Sequence, residues 1–279
     1  MLTKVISDTT RYKLTQTGHT LQLQSDTRIP LEPKGELLEA RLQLREAIKQ
    51  ISPEDRQILQ GTYDSHVNGF FDVENIVFYN IGTGTFRNAS CNGLQAVRRR
   101  SLHVNDKAAF PHQLTYQFIS PPSVPEAPAC TIEFTPSKFS SVFDVWWTCT
   151  QGSALALSDL KEPYGVHVEL QLPYRLKNPA NNLKKIVDGI ISSFQSDRTP
   201  NDQAVERLAN KHKTPPEIIS ERLMNPQVPA IHSRRTQRLI LPYRDGVQWH
   251  PADNSCEECT LLINIADKAH CKAYLYSIN

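Results

Sequence analysis

The chain has 279 residues, of which 39% are hydrophobic and 22% are charged. These fractions are ordinary for globular proteins and argue against a largely disordered chain, and the length suffices for one large domain or two small ones. The formal net charge is only +2 at pH 7, which excludes a uniformly basic surface, so any nucleic-acid site must be a local patch.

The chain shows no targeting or membrane segment. No apolar run of signal-peptide length occurs near the start, and no apolar stretch approaches the roughly 18 residues that a spanning helix needs. We therefore expect a cytoplasmic protein that has no contact with a membrane. The six cysteines are scattered through a long chain, which predicts reduced thiols rather than a disulfide framework.

The first half combines short strands with one clear helix. The alternation in "TLQLQ" (20–24) predicts a half-buried strand, and the apolar spacing in 35–51 predicts an amphipathic helix. A second short helix is expected to follow, with Ser52 as its N-cap. The β-branched and aromatic residues of 75–81 and of 141–149 predict further strands in an antiparallel sheet or meander.

The second half opens with the clearest strand pattern, the alternation in "GVHVELQLPYR" (165–175). Apolar residues at helical spacing then predict a helix over 181–195, and further helices are expected at 202–211 and 215–224, the latter with a capping box at Thr214–Glu217. The last two strands are expected to form a hairpin that turns at 266–269.

The predicted class is α+β, with antiparallel or mixed sheets and flanking helices in two lobes. An N-terminal lobe of helix and sheet is expected over 1–155. A C-terminal α+β lobe is expected over 156–279, with a helical insertion at about 198–230.

A row of polar residues follows the helix at 181–195 on the side opposite its apolar stripe: Asn181, Lys185, Asp188 and Ser192. The row is expected to face solvent. The row is either the ordinary solvent-exposed face of a helix, with an ion pair between Lys185 and Asp188 at i,i+3, or part of a nucleic-acid site.

Residues 166–195, a strand followed by "NNLKKIVD", resemble the core of RusA-type Holliday-junction resolvases. In that family, aspartates hold Mg²⁺ and a helix lysine contacts phosphate. The resemblance gives these roles to Asp188 and Lys185, and it gives Asp253 the role of a later acidic residue. Asn181 and Pro179 stand where the family has aspartates, and neither can replace a carboxylate on Mg²⁺. The resemblance therefore implies a degenerate resolvase-like lobe.

Asp72 and Glu74 form a second acidic pair, two residues apart on one face of the strand predicted there. Paired carboxylates can hold a metal or act as acid and base, but they also occur on exposed strand edges. Together with Asp188, Asp253 and Lys185, they define a Mg²⁺-dependent nuclease as an alternative function.

Two basic clusters are candidate phosphate contacts, together with Lys185. The first is Arg98, Arg99 and Arg100, at the end of a predicted strand, and the second is Arg234, Arg235 and Arg238. Clustered arginines give salt-sensitive binding even at low net charge. The alternative is that they are ordinary surface arginines paired with nearby acids.

Two further patterns have simpler explanations. The spacing of Cys256, Cys259, His270 and Cys271 suggests zinc, but the predicted hairpin would separate these residues, which favours ordinary buried cysteines. Residues 204–224 have the pattern of a helix-turn-helix unit. The acidic Glu217 and Glu221 on its second helix favour a structural helical hairpin.

The sequence therefore favours a nucleic-acid-binding subunit of a larger assembly, with DNA or RNA as partner and no cofactor. The alternatives are the divergent nuclease, which needs Mg²⁺, and a protein–protein adaptor. In the adaptor, either Trp146 or Trp147 would contact a partner subunit.

Overall fold

The structure is a computed structural model that describes residues 2–65, 71–100, 110–231 and 238–278. Over these ranges it contains five α-helices: α1 (Glu36–Lys49), α2 (Val142–Cys149), α3 (Pro179–Ser193), α4 (Asp202–His212) and α5 (Pro216–Met224). Its first strands are β1 (Thr3–Asp8), β2 (Tyr12–Thr17), β3 (Thr20–Ser25), β4 (Ile58–Ser65), β5 (Gly93–Arg99), β6 (His112–Ile119) and β7 (Cys130–Phe134). The remaining strands are β8 (Ser153–Ala156), β9 (Tyr164–Leu172), β10 (Ile240–Tyr243), β11 (Gly246–Trp249), β12 (Cys256–Ile265) and β13 (His270–Ser277).

The strands form a large mixed sheet, which confirms the α+β class. Its order is β1-β2-β3-β6-β4-β5-β12-β9-β13-β7-β8, and β10 and β11 form a separate pair. The pairing of β4 with β5 is parallel, whereas β4 and β6 are antiparallel. Because β9 lies between β12 and β13, the hairpin predicted for the last two strands is wrong, although β12 and β13 begin and end close to the expected residues.

The described chain divides into two compact units made of interleaved segments. The first comprises Met1–Val124, Val168–Lys184 and Glu257–Asp267, and the second comprises Pro125–His167, Lys185–Cys256 and Lys268–Asn279. This division differs from the simple boundary near residue 155 that the sequence suggested.

The core of the first unit lies on the apolar stripe of α1 and on the strands around β4. The stripe is the one that the helical spacing predicted: Leu37, Ala40, Leu44 and Ile48. Behind β4 lies a π-helical turn, Asn75–Tyr79, whose residues Ile76, Val77 and Phe78 are buried. The phenol of Tyr116 donates a hydrogen bond to the carbonyl of Val77, which fixes the turn against the sheet.

Residues 75–81 were expected to form a strand, and that prediction is wrong. Their β-branched and aromatic side chains are buried all the same, but from helical turns rather than from a pleated strand. Strand propensity mainly measures how well a side chain packs on a half-buried surface, and such packing is available to a short helical segment as well.

The core of the second unit contains α2, α4, α5 and β10. It is a cluster of buried side chains from these elements and their flanks: Phe143, Trp146, Ala204, Val205, Leu208, Ala209, Ile219, Leu223, Leu239 and Ile240. The helices at 202–212 and 216–224 confirm the prediction, and their inner faces are buried as in an ordinary helical hairpin. The expected capping box is absent, because Pro215 occupies the N-cap of α5 without a side-chain hydrogen bond.

Residues 141–149 were also expected to form a strand, but Val142–Cys149 is helix α2. Ser141 begins the helix by accepting a hydrogen bond from the backbone N–H of Asp144. Phe143 and Trp146, three residues apart, then point into the same core. The short helix expected after Ser52 is not formed, and 51–54 have no regular structure.

Helix α3 is buried on more sides than its apolar stripe predicted. Asp188 is 4% exposed and Ser192 is fully buried, so the prediction that they face solvent is wrong. Gly189, between them on the helix surface, lies so close to α2 that an added Cβ would be 2.6 Å from the Cβ of Val145. A second packing face therefore covers the C-terminal half of the polar row, at Asp188 and Ser192, whereas Asn181 and Lys185 are half-buried.

Candidate metal centre

The candidate site begins where the chain approaches the π-helical turn. Asp72 and Glu74 lie at the entrance to that turn, not on a strand edge. The side-chain amide of Asn75 donates a hydrogen bond to Asp72, and its backbone N–H donates to the Asp72 carbonyl. These contacts fix the Asp72 carboxylate relative to the helical backbone.

Glu74 is a completely buried carboxylate. Its Oε1 atom accepts a hydrogen bond from the Lys184 ammonium at 3.0 Å, while its Oε2 atom is buried without a hydrogen-bond partner. Lys184, on α3, also donates to Oδ2 of Asp72 at 3.0 Å. One ammonium therefore bridges two carboxylates, and one carboxylate oxygen of the cluster is left unsatisfied, which is costly in a buried position.

Burial raises the pKa of Glu74 above its ordinary value. The ammonium of Lys184 acts in the opposite direction and lowers this pKa, and the negative charge of Asp72 raises it again. The order of these effects shows that Lys184 compensates only in part for the loss of water around the carboxylate.

Asp72 and Glu74 form a pair of carboxylates within the first unit. Each offers an oxygen atom, and these two atoms lie within 4.8 Å of each other. In the second unit, Asp253 is buried and opens a 3₁₀ turn, Asp253–Ser255, directly before β12. Ligands on opposite sides of Mg²⁺ are about 4.2 Å apart and those on opposite sides of Ca²⁺ about 5 Å apart. The spacing and the oxygen chemistry therefore suit a hard divalent cation.

The structure brings together some of the predicted site residues and separates others. Asp72 and Glu74 lie together, whereas Asp188, which the nuclease alternative paired with Asp253, is not in this group of potential ligands. The lysine at the carboxylates is Lys184, one position before the predicted Lys185. No local spacing in the sequence distinguishes Lys184 from Lys185, because the partners of Lys184, Asp72 and Glu74, lie more than a hundred residues earlier.

The basic clusters are only partly available as phosphate contacts. Arg98 is buried, and Arg98 and Arg100 both pair with Glu257. Arg99, which alternates with them along β5, is exposed. Arg238 is exposed as well, whereas Arg234 and Arg235 lie outside the described residues. The arginines at 98–100 therefore do not form a single uniform surface.

The four residues whose spacing suggested zinc are not among the potential metal ligands that group together in the described part of the chain. Cys256, Cys259 and Cys271 are buried and form no disulfide, and His270 lies 3.7 Å from Glu133.

Comparisons with known proteins give no relative for this chain. No protein-family model matches it, and neither a curated protein nor a solved structure shows significant similarity to it. Among the described helices, none combines the length and the apolar character needed to cross a membrane. The function must therefore be argued from the site itself.

Proposed function

We propose that this protein binds a divalent cation, Mg²⁺, at Asp72 and Glu74, and that it hydrolyses phosphodiester bonds of nucleic acid there. The observation that carries the proposal is the buried Oε2 atom of Glu74, which has no hydrogen-bond partner and belongs to a carboxylate beside that of Asp72.

The charges at the site favour a cation. The carboxylates of Asp72 and Glu74 share the ammonium of Lys184, so a cation would be attracted to the pair when both are ionised. Buried charge is costly unless it is paired, and a hard cation with oxygen ligands would pair it. Acidic groups also occur without a metal, and Oε2 of Glu36 is likewise buried without a hydrogen-bond partner, but Glu74 differs in lying beside a second carboxylate, that of Asp72.

Phosphodiester hydrolysis is the reaction class that fits this set of residues best. A bound divalent cation supplies an activated water and neutralises charge on a phosphoryl oxygen. Lys184 is close enough to contribute a positive charge to the same phosphate group, once its hydrogen bonds to Asp72 and Glu74 are replaced. The resemblance of 166–195 to RusA-type resolvases supports nucleic acid as the substrate, although the lysine of its motif is Lys185 and the lysine at the carboxylates is Lys184.

The two other functions considered from sequence have less support. A nucleic-acid-binding subunit without catalysis leaves the unsatisfied oxygen of Glu74 unexplained. An adaptor that docks through its tryptophans is disfavoured, because Trp146 is buried and Trp147 packs in part against the same core.

A cleavage assay tests the proposal. Labelled duplex, single-stranded and four-way-junction DNA, and RNA of the same sequence, would be incubated with the full chain in Mg²⁺, Mn²⁺ or EDTA. Glu74→Gln and Asp72→Asn remove single ligands, and Glu126→Gln, at an exposed glutamate, is the matched control.

We expect metal-dependent products from the wild-type protein and from Glu126→Gln. The two ligand variants should lose at least about 100-fold in rate, because a missing ligand weakens the metal site and misplaces its water. Binding without products in any metal would support the non-catalytic subunit instead. Cleavage that is unchanged in both ligand variants would remove this site from the reaction.

A further inference from the structure

Beside the metal centre, two arginines lie over one aromatic ring. Phe71 immediately precedes Asp72, and the Cζ atoms of Arg98 and Arg28 lie 4.2 Å and 5.1 Å from the centroid of its ring. The ring of Tyr63 meets that of Phe71 edge-on, with centroids 5.4 Å apart. We call Arg28, Phe71 and Arg98 the arginine–phenylalanine cluster.

The two arginines differ in their environment. Arg98 is buried, and its closest carboxylate, Glu257 at 3.9 Å, is shared with Arg100. Burial is the main reason why the pKa of Arg98 is lowered, and the nearby Arg100 lowers it further. Arg28 is exposed and forms no ion pair with a carboxylate in the described part of the chain. The cluster therefore has more positive than negative charge, and its uncompensated charge is accessible at Arg28.

The support for the ring is rigid. The hydroxyl of Tyr63 lies 2.7 Å from Nδ1 of His112, and the hydroxyl of Ser65 lies 3.3 Å from the same atom. Burial raises the pKa of the Tyr63 hydroxyl, so it stays protonated at neutral pH. A fixed Tyr63 limits the positions that Phe71 can take, and Phe71 in turn orients both guanidinium groups through cation–π contacts.

We propose that Arg28 binds a backbone phosphate of the nucleic-acid strand next to the bond that is cleaved. In this arrangement Phe71 and Arg98 are positioning residues that hold Arg28 at the entrance to the metal centre. The proposal rests on the proposed function and adds the contact that places the strand. A guanidinium that lacks a carboxylate partner and is oriented by a ring is well suited to phosphate, which accepts two parallel N–H bonds.

Phe71 and Asp72 are neighbours in the chain, which is why a phosphate bound at Arg28 would influence the reaction at the metal centre. The Cα atoms of consecutive residues are about 3.8 Å apart, so the backbone links the ring directly to the first metal ligand. Phosphate contacts fix the register of a strand without reading its sequence. The cluster would therefore determine where the strand lies, not which sequence is chosen.

A binding assay under conditions that prevent cleavage tests the contact between Arg28 and phosphate by itself. A fluorescent single-stranded oligonucleotide would be titrated with the full chain in EDTA at several salt concentrations, and the fluorescence anisotropy recorded. The variants are Arg28→Met, Arg28→Lys and Phe71→Leu. Arg175→Met is the matched control, because Arg175 is also exposed and forms no ion pair among the residues described.

We expect Arg28→Met to weaken binding about tenfold, the loss of one charge-assisted hydrogen-bonded contact. Its plot of log affinity against log salt should be shallower by about 0.7, the contribution of one phosphate on a single strand. Arg28→Lys should keep the salt slope but lose part of the affinity, because an ammonium cannot form the paired bonds. Phe71→Leu should weaken binding and leave the salt slope nearly unchanged.

Equal affinity and slope for Arg28→Met and Arg175→Met would overturn the proposal. Inorganic phosphate that competes at millimolar concentration in the wild-type protein, but not in Arg28→Met, would identify phosphate as the group recognised. Glu74→Gln separates this inference from the proposed function. Suppose that Glu74→Gln binds the oligonucleotide with the salt dependence of the wild type, and that neither protein cleaves DNA or RNA. The Arg28 contact would then stand, and the proposed metal-dependent reaction would fail.

Discussion

The ammonium of Lys184 lies 3.0 Å from Oε1 of Glu74, a carboxylate that no solvent reaches. The pair joins α3 to the π-helical turn behind β4. Because Lys184 also binds Asp72, a single side chain balances both acidic residues at the entrance to that turn. The stability of the metal-free protein should therefore depend on this lysine.

Lys184→Met tests that dependence. Removing one partner of a buried ion pair leaves an uncompensated charge, and because Lys184 is partly exposed we expect a loss of about 2–3 kcal/mol in the free energy of unfolding. Urea denaturation with and without Mg²⁺ measures it. Added Mg²⁺ should restore part of the loss, since the cation replaces the missing positive charge.

Lys177→Met is the control for that experiment, because Lys177 is exposed and lies just before α3. It should change stability by less than about 0.5 kcal/mol. Equal stability of the two variants would show that the Lys184–Glu74 contact contributes nothing.

The packing of β4 against the π-helical turn can be tested at Gly61. A Cβ atom added there would lie 2.1 Å from Cγ1 of Val77, three residues after Glu74. Gly61→Ala should therefore cost about 1–3 kcal/mol and displace the turn, weakening cation binding as well. Thermal denaturation and a Mg²⁺ titration measure the two effects. Gly84→Ala, whose new Cβ would meet nothing within 4 Å, should alter neither.

The N-cap of α2 gives a prediction in the second unit. Ser141 accepts from the backbone N–H of Asp144 and donates to its carboxylate. Ser141→Ala should lower the free energy of unfolding by about 1 kcal/mol, the usual contribution of such a cap. Ser141→Thr, which keeps a hydroxyl that can both accept from the backbone and donate to the Asp144 carboxylate, should lose less. Identical denaturation midpoints for Ser141→Ala and the wild type would mean that the cap is not formed.

His212 gives the second unit a dependence on pH. Its ring stacks on Phe143 with centroids 3.9 Å apart, and burial lowers its pKa below the usual 6.5, although Asp144 acts to raise it. In the window just below pH 6.5, His212 binds a proton in the unfolded chain but stays neutral in the folded protein, where its pKa is lower. The contribution of this residue to stability is therefore complete above that window and falls as the pH is lowered through it.

His212→Gln should remove this part of the pH dependence. Midpoints of urea denaturation would be measured between pH 5 and pH 8 for the variant and the wild type. We expect the difference between the two curves to shrink as the pH falls. Parallel curves over the whole range would show that His212 does not titrate differently on folding.

Local sequence patterns predicted those elements that have a single buried face. The stripe of α1, the alternation in β3 and the spacing in α4 and α5 each describe a surface packed on one side only, and the structure confirms them. The patterns failed at 75–81 and 141–149. There, β-branched and aromatic residues are buried in short helical segments, because tertiary packing outweighs strand propensity.

The site could be predicted only in part. Asp72, Glu74 and Asp253 were recognised as acidic candidates, but Asp188 was placed with them by the resemblance to RusA-type resolvases, and its side of α3 was expected to face solvent. The close approach of α2 at Gly189 covers that side, and no periodicity in α3 itself reveals a second packed face. Lys184 was passed over for its neighbour Lys185, because the contact depends on a segment more than a hundred residues away in the sequence.

Direct titration of a cation into the purified, metal-free protein tests the central claim. Mn²⁺ would replace Mg²⁺, and the free ion would be followed by electron paramagnetic resonance for the wild type, Glu74→Gln, Asp72→Asn and Glu126→Gln. The account predicts one site in the wild type and in Glu126→Gln, and at least about tenfold weaker binding in the two ligand variants. Equal Mn²⁺ affinity in all four proteins, or no binding by the wild type, would contradict it.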